Sequence, residues 1–202
     1  ILLQTFCHDA YENHKPSWTL AAVPTLRQLL FAIKDEEKRE LVLTVITEFE
    51  KKVLSVANTL ERGLIHGDIN EQNIIVEKID NDWQIKAIID FGDCHVTCYL
   101  FEFAITMTYM MLQARDINAG GFVLAGYSSV RDLPEQEYLL LKICIAARLC
   151  QSLVIGAYSY LQDPNNSYVL ATAEHGWKLL DVIWKESESD LLTRWKKIAE
   201  TV

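Results

Sequence analysis

The stretch GLIHGDINEQNII, Gly63 to Ile75, sets a histidine, an aspartate and an asparagine between two apolar pairs. Leu64-Ile65 and Ile74-Ile75 read as short buried strands, and the polar residues between them as a loop whose side chains carry chemistry. Downstream, Asn73–Lys78 and Trp83–Asp90 are rich in β-forming residues, and Asp80-Asn81-Asp82 between them is a turn signal. A β hairpin therefore follows the loop directly, with Trp83 expected to pack across it.

Asn73 stands five residues after Asp68, and Asp90-Phe91-Gly92 begins seventeen residues after Asn73. A loop of the form HxDxxxxN followed by DFG has the order and spacing of a phosphoryl-transfer site. The residue types suit that chemistry. Mg²⁺ between phosphates prefers oxygen ligands, so Asp90 is assigned as the metal carboxylate and Asn73 as a neutral amide ligand. Asp68 is the candidate catalytic base, facing the acceptor hydroxyl and taking its proton. The hairpin holds Asn73 and Asp90 at two strand ends, within reach of one ion. Asp93 has three readings: a second Mg²⁺ held through water, a partner for a cationic substrate, or a solvated loop residue. His66 is expected to brace the loop by hydrogen bonds rather than move a proton. Glu102 interrupts an apolar helix, where an unpaired charge is costly, and is expected to brace the same loop.

Around this centre the chain reads helical. Leu26, Leu29, Leu30 and Ile33 recur at helical spacing after Pro24. Leu41, Val45, Phe49 and Val53 continue an i,i+4 stripe from Asp35, stopped at Gly63. One helix is expected over 99–114 and a loop at Gly120-Gly121 and Gly126. A long helix to about Leu161 follows, opened by an Asp132-to-Glu135 cap, and then helices over 167–185 and 189–200. The fold class is mainly α with one small β hairpin, α+β overall, in a single domain over 1–202. Within it lie the catalytic loop 66–73, the metal motif 90–93 and a helical substrate subdomain 99–202.

Composition excludes several classes. Nineteen basic against 28 acidic residues give a net charge of −9, opposite to the basic patches that bind nucleic acid or anionic membranes and suited to a cationic partner. Five scattered cysteines without a CxxC pair read as reduced core thiols of a cytoplasmic protein. Cys94-His95 with Cys98 lacks an evident fourth zinc ligand, and His8 and His14 read as surface residues. Phe101–Leu112 is too short to span a membrane, and the first residues lack a signal-peptide pattern.

HGDINEQN with IDFGD resembles the aminoglycoside phosphotransferase and choline kinase group, relatives of the protein kinases in which glycine commonly follows the loop histidine. FEFAITMTYMML, GGFVLAGY, RLCQSLVIGAYSY and TAEHGWKLL are similar to the helical C-terminal part of the hydroxylysine kinase family, over about Trp18 to Trp184. The resemblance implies the C-terminal lobe of a kinase-like fold, with Asp68 as base and Asn73 and Asp90 as ligands of Mg²⁺. It also implies GTP, or ATP, as donor and 5-hydroxy-L-lysine, a small cationic hydroxylated amine, as acceptor. Choline, ethanolamine, homoserine and aminoglycosides are the alternatives within the group.

A nucleotide-binding N-lobe is not legible. No G-x-G-x-x-G occurs, and the only glycine before His66 is Gly63. Phe31-Ala32-Ile33-Lys34 mimics the V-A-I-K strand lysine, but it lies in helical periodicity, and Lys34 reads as a solvated helix-end residue. No nucleotide-contacting residue is assigned. The expectation is either part of a longer kinase or a short, non-catalytic kinase-like binding module. Trp18, Tyr99 and Trp177 are candidate cation–π faces for an ammonium group, or plain core.

Overall fold

The computed structural model describes residues 8–165 and 173–202. Cys7 and residues 167–172 of the helix expected over 167–185 lie outside the described residues. The elements run α1 (Asp9–Asn13), a 3-10 helix (Leu20–Ala32), α2 (Glu36–Phe49) with a π turn at Glu50–Leu54, β1 (Arg62–Ile65), β2 (Ile74–Ile79) and β3 (Asp82–Ile88). A 3-10 turn (Phe91–Asp93), β4 (His95–Cys98), α3 (Tyr99–Ala114), α4 (Ala119–Ser128), α5 (Glu135–Gln162), α6 (Ala173–Lys185) and α7 (Glu188–Ala199) complete them.

The long helix α5 is the axis of the core. Leu141, Ile145, Leu149 and Val154 are fully buried on it, facing Leu20, Leu26, Val45, Phe49, Phe101 and Met107. Among the described helices α5 alone is long and apolar enough to cross a membrane, but 78% of its apolar window is buried inside the protein. The described cysteines, Cys94, Cys98, Cys144 and Cys150, are free and buried. Burial pushes the Cys94 thiol up to about 11 and raises the other three, so they behave as small core groups.

Several expectations hold. Asp35 caps α2 by accepting the Lys38 N–H at 3.1 Å. The hairpin forms as β2–β3, closed by Asp80 (φ 49°) and Asn81 (φ 74°) in a turn suited to right-handed strand twist. A shift between Ile75 and Val76 leaves Lys86 bulged, ion-paired with Glu77. α3 spans the expected residues, and α7 is capped by Ser187 accepting from the Asp190 N–H at 3.1 Å.

Other expectations are corrected. The segment around Pro24 is a 3-10 helix, and its buried Leu20, Val23 and Leu26 recur every third residue as that geometry requires. The helix from Asp35 ends at Leu54, not Gly63. Gly63 belongs to β1, the buried strand expected at Leu64-Ile65, which pairs with β4 in a second two-stranded ladder beyond the expected hairpin. Gly120 and Gly121 lie inside α4, not in a loop. A Cβ on Gly120 would fall 2.7 Å from Trp195 Nε1, and one on Gly121 2.5 Å from Ile198 Cβ, so these glycines permit close packing of α4 on α7. Pro134, not Asp132, is the N-cap of α5. Ile75 of β2 is 39% exposed and Trp83 of β3 is 69% exposed on opposite faces of the hairpin, and β3 is exposed along its whole length.

Glu137, 1% exposed on α5, accepts the Glu61 N–H at 3.0 Å, and burial raises its carboxyl above the ordinary range. An acid that holds its proton more tightly when folded stabilises the fold at low pH. That contribution is lost as pH rises from the ordinary carboxylate range through the raised value. Glu137→Gln keeps the acceptor oxygen and removes the titration. Thermal melts between about pH 8 and about pH 5 should therefore show less acid-side stabilisation in the variant than in the wild-type chain.

Candidate active site

Residues 66–73 cross from β1 to β2, and 89–94 from β3 to β4, so both polar segments meet at one end of the two ladders. The loop is tied down by backbone donors. Glu102, in the first turn of α3, accepts the N–H groups of His66 and, at 3.1 Å, of Gly67. Burial pushes the Glu102 carboxyl up, while those two N–H groups pull it down. His66 is 2% exposed; its Nε2 donates to the Ile89 carbonyl at 2.9 Å, and its Nδ1 accepts the Asp68 N–H at 3.3 Å. Its ring also lies against Phe91, with centroids 4.9 Å apart. A single neutral tautomer satisfies both bonds and joins the 66–73 loop to the Asp90 segment.

Gly67 is required twice over. Its φ is +88°, and a Cβ there would sit 2.6 Å from the Asp93 carbonyl oxygen. Gly67→Ala is expected to destabilise the fold by about 2 kcal/mol or more and to displace Asp68. Chemical denaturation together with turnover of the full-length protein reads both effects.

Asp68 sits at the centre of a bonded cluster. Its Oδ1 accepts from Arg148 Nη2 at 2.8 Å and its Oδ2 from Asn70 Nδ2 at 2.9 Å. Asn73, 7% exposed, donates its amide Nδ2 to the Asp68 carbonyl at 2.8 Å and to Asp68 Oδ2 at 3.3 Å. The amide N–H groups thus engage Asp68, leaving the amide oxygen as the group suited to a cation. The Ile89 N–H bonds the Asn73 carbonyl at 3.0 Å beside the Ile74–Ile88 pair, so the ladder brings Asp90 next to Asn73. Asp90 is exposed, with φ 65° and ψ 66°, a left-handed conformation that Asp tolerates better than most residues. Burial raises the Asp93 carboxyl, as do the nearby charges of Asp68 and Asp90.

The donors gathered here are hard oxygens. Among the described residues no group of three or more His, Cys, Asp or Glu side chains could hold a metal ion. That does not fit a zinc cage, whereas the Asn73 amide and Asp90 carboxylate oxygens are of the hard type that Mg²⁺ prefers.

Arg148 is the site residue that sequence reading missed. It lies within the apolar run of α5 and is 1% exposed. Besides Asp68 it donates Nη1 to the Trp18 carbonyl at 3.1 Å and to Gln151 Oε1 at 2.9 Å. Its guanidinium lies between the rings of Trp18 and Tyr109, 5.2 Å from each centroid. Gln151 donates to the Thr19 carbonyl at 3.1 Å, the Thr19 hydroxyl meets His95 Nε2 at 2.8 Å, and His95 Nδ1 donates to the Asp93 carbonyl at 2.8 Å. This network links Asp68 to Asp93 across the 3-10 helix. The expected aromatic faces are engaged by the protein's own cations: Trp18 by Arg148, Tyr99 by Arg131 at 4.4 Å and Trp177 by Lys38 at 5.0 Å.

Asp68, Asp93 and Arg148 open onto a cavity of about 730 Å³, bounded by Tyr109 and Arg115 at α3 and by Ser152 and Ser159 on α5. That volume accommodates a small organic substrate. Lys34 is exposed in the turn before α2, away from this cavity.

A profile of the phosphotransferase enzyme family (APH) matches residues 2–137. The chain is 34% identical to hydroxylysine kinase of Xenopus laevis over 212 residues, covering 100% of this chain and 57% of that protein. It is 35% identical to hydroxylysine kinase of Bos taurus, covering 98% and 56%. The chain therefore spans little more than half the length of these relatives. A solved GDP complex of a point mutant of aminoglycoside 2′-phosphotransferase-IIIa superposes with a TM-score of 0.57 at 16% identity, covering 90% of this chain and 57% of that one. The shared fold is thus accompanied by a family match that takes in His66, Asp68, Asn73 and Asp90 together, and the chain belongs to the phosphotransferase enzyme family (APH).

Proposed function

We propose that this chain is the catalytic and acceptor-binding lobe of a small-molecule kinase. In this reading it transfers the γ-phosphoryl group of a purine triphosphate, GTP, to the hydroxyl of 5-hydroxy-L-lysine. The carrying observation is Asp68, held by Arg148, Asn70 and Asn73 at the mouth of the cavity. Similarity to hydroxylysine kinases supports the acceptor, and the GDP in the structural neighbour supports a guanine nucleotide.

Asp68 receives the hydroxyl proton as the substrate oxygen bonds the γ-phosphorus and the bond to the β-phosphate oxygen breaks, releasing GDP. Asn73 and Asp90 would hold Mg²⁺, which neutralises phosphate charge when bound; Asp93 would serve a second ion or the substrate's ammonium group. Glu102 and His66 keep the loop in place through the bonds described above. The same reading places the protein in the cytoplasm, acting on a small cationic hydroxylated substrate and without a nucleic-acid or membrane partner.

The test is steady-state phosphorylation by the full-length gene product of a panel comprising 5-hydroxy-L-lysine, choline, ethanolamine, homoserine and an aminoglycoside, with Mg·GTP against Mg·ATP. The highest kcat/KM is expected for 5-hydroxy-L-lysine with GTP. Absence of turnover on every acceptor, with no calorimetric heat for nucleotide, would instead establish a non-catalytic binding module.

A further inference from the structure

The cavity at Asp68 is lined by acidic and basic side chains: Asp68, Glu71 and Asp93 from the two polar loops, and Arg115 and His175 from the C-cap of α3 and from α6. Arg148 also lines it, but that charge is engaged by Asp68 at 2.8 Å and enclosed by two aromatic rings. The basic side chains left lining the cavity are therefore Arg115 and the imidazole of His175.

Arg115 has a second distinction. It is the C-cap of α3, with φ 54° and ψ 31°, a left-handed position that glycine or asparagine fills at less steric cost. The sequence places an arginine there against that local preference. Glu174, beside His175 at the start of α6, has its carboxyl pulled down chiefly by its hydrogen bond to Lys178. Glu174 is bonded to Lys178 at 3.0 Å, so its charge already has a partner.

From this arrangement we infer that Arg115, with His175, receives a carboxylate in the cavity, and that the enzyme selects hydroxylated amino acids over amines that lack one. The inference rests on the kinase reading above and deepens it by naming the residues that read the substrate's acid group. Tyr109 stacks on Arg148, the partner of Asp68. From there to Arg115 the helix advances about 9 Å at 1.5 Å per residue. An arginine side chain reaching back across that span suits a hydroxyl several carbons from the carboxylate, as in 5-hydroxy-L-lysine, better than the short spacing of serine. The substrate's side-chain ammonium, on the carbon next to the hydroxyl, falls towards Asp93 and Glu71, whose carboxylates line the cavity with Asp68 and favour positive charge, while its α-ammonium stays beside the carboxylate. Choline and the aminoglycosides carry the cation but leave Arg115 without a counter-charge.

The experiment compares 5-hydroxy-L-lysine with its decarboxylated amine on the full-length protein, in wild type, Arg115→Gly and Arg115→Lys. Glycine suits the left-handed backbone, so the first variant removes the side chain without imposing strain. Wild type is expected to prefer the amino acid by about tenfold or more in kcat/KM. In Arg115→Gly the preference should collapse through a rise in KM for the amino acid, and Arg115→Lys should recover part of it. A preference unchanged in Arg115→Gly, or a wild type that favours the amine, overturns the inference.

Failure of the substrate assignment reads differently. If homoserine or another hydroxylated amino acid proves the better acceptor, the same ratio against its own decarboxylated amine decides the carboxylate site. Phosphorylation of carboxylate-free acceptors alone overturns the inference while the kinase reading stands. If nothing is phosphorylated, the kinase reading fails, and calorimetric binding of the same two ligands to wild type and Arg115→Gly makes the comparison. Equal binding of both ligands to both proteins overturns the inference.

Discussion

Asp68→Asn in the full-length protein is expected to lower kcat by about a hundredfold or more, the range associated with loss of a positioned general base. The substitution preserves shape, and an asparagine oxygen can still accept from Arg148 Nη2; its amide nitrogen then faces the Asn70 and Asn73 donors, so those two bonds are lost while Asn73 keeps its bond to the main-chain carbonyl of residue 68. On the proposed mechanism the substitution removes the proton acceptor for the substrate hydroxyl, and it removes the negative charge opposite a guanidinium that is 1% exposed. The first loss appears in kcat. The second adds a stability cost, because a charge buried without its partner is expensive. KM for the nucleotide should change little, since Asp68 is assigned no phosphate contact. Turnover within a few-fold of wild type would refute Asp68 as the base.

Arg148→Met is expected to have the largest effect on stability, about 3 kcal/mol, or a fall in Tm of roughly 10 °C for a domain of this size. Methionine fills the slot between Trp18 and Tyr109 but donates to none of the three oxygens that Arg148 serves: Trp18 O, Gln151 Oε1 and Asp68 Oδ1. Asp68 then loses its anchor, so kcat should fall together with stability. Arg148→Lys restores the charge but not the planar fork, so recovery should be partial in both. Thermal melting together with steady-state kinetics separates the outcomes. If Arg148→Met loses stability with kcat unchanged, the arginine only fills the core; parallel loss, partly restored by lysine, marks it as the residue that positions Asp68. Arg148 Nε is, among the described residues, a buried side-chain polar atom without a partner, so the guanidinium is held at some cost to the core.

The spacing of His66, Asp68, Asn73 and Asp90 was readable because a short loop and a two-residue turn leave the chain little freedom. Once β2 and β3 pair, the residues at their ends must converge. The helices α3 and α7 were equally local, each announced by its own apolar pattern or cap. Where the reading failed, the deciding contact came from far along the chain. Gly120 and Gly121 look like loop residues until Trp195 and Ile198 pack against them. Gly63 looks like a helix stop until it pairs in β1 with Thr97, where a Cβ would strike the Tyr99 side chain. Trp83 looks like a packing residue, yet nothing among the described residues covers it.

The sequence alone carried the order and spacing of a loop aspartate, an asparagine and a strand-end aspartate, the pattern on which the phosphoryl-transfer reading rests. Its resemblance to known kinases extended that to a family. The tertiary structure alone decided how Asp68 is held and which side chains line the cavity beside it. Arg148 and Asp68 are 80 positions apart, and Arg115 and His175 meet the same cavity from different helices. A lone arginine in an apolar helix carries no local signal of its partner. Its meaning depends on which side chains the fold places opposite it, and long-range packing of α3, α5 and α6 supplies that.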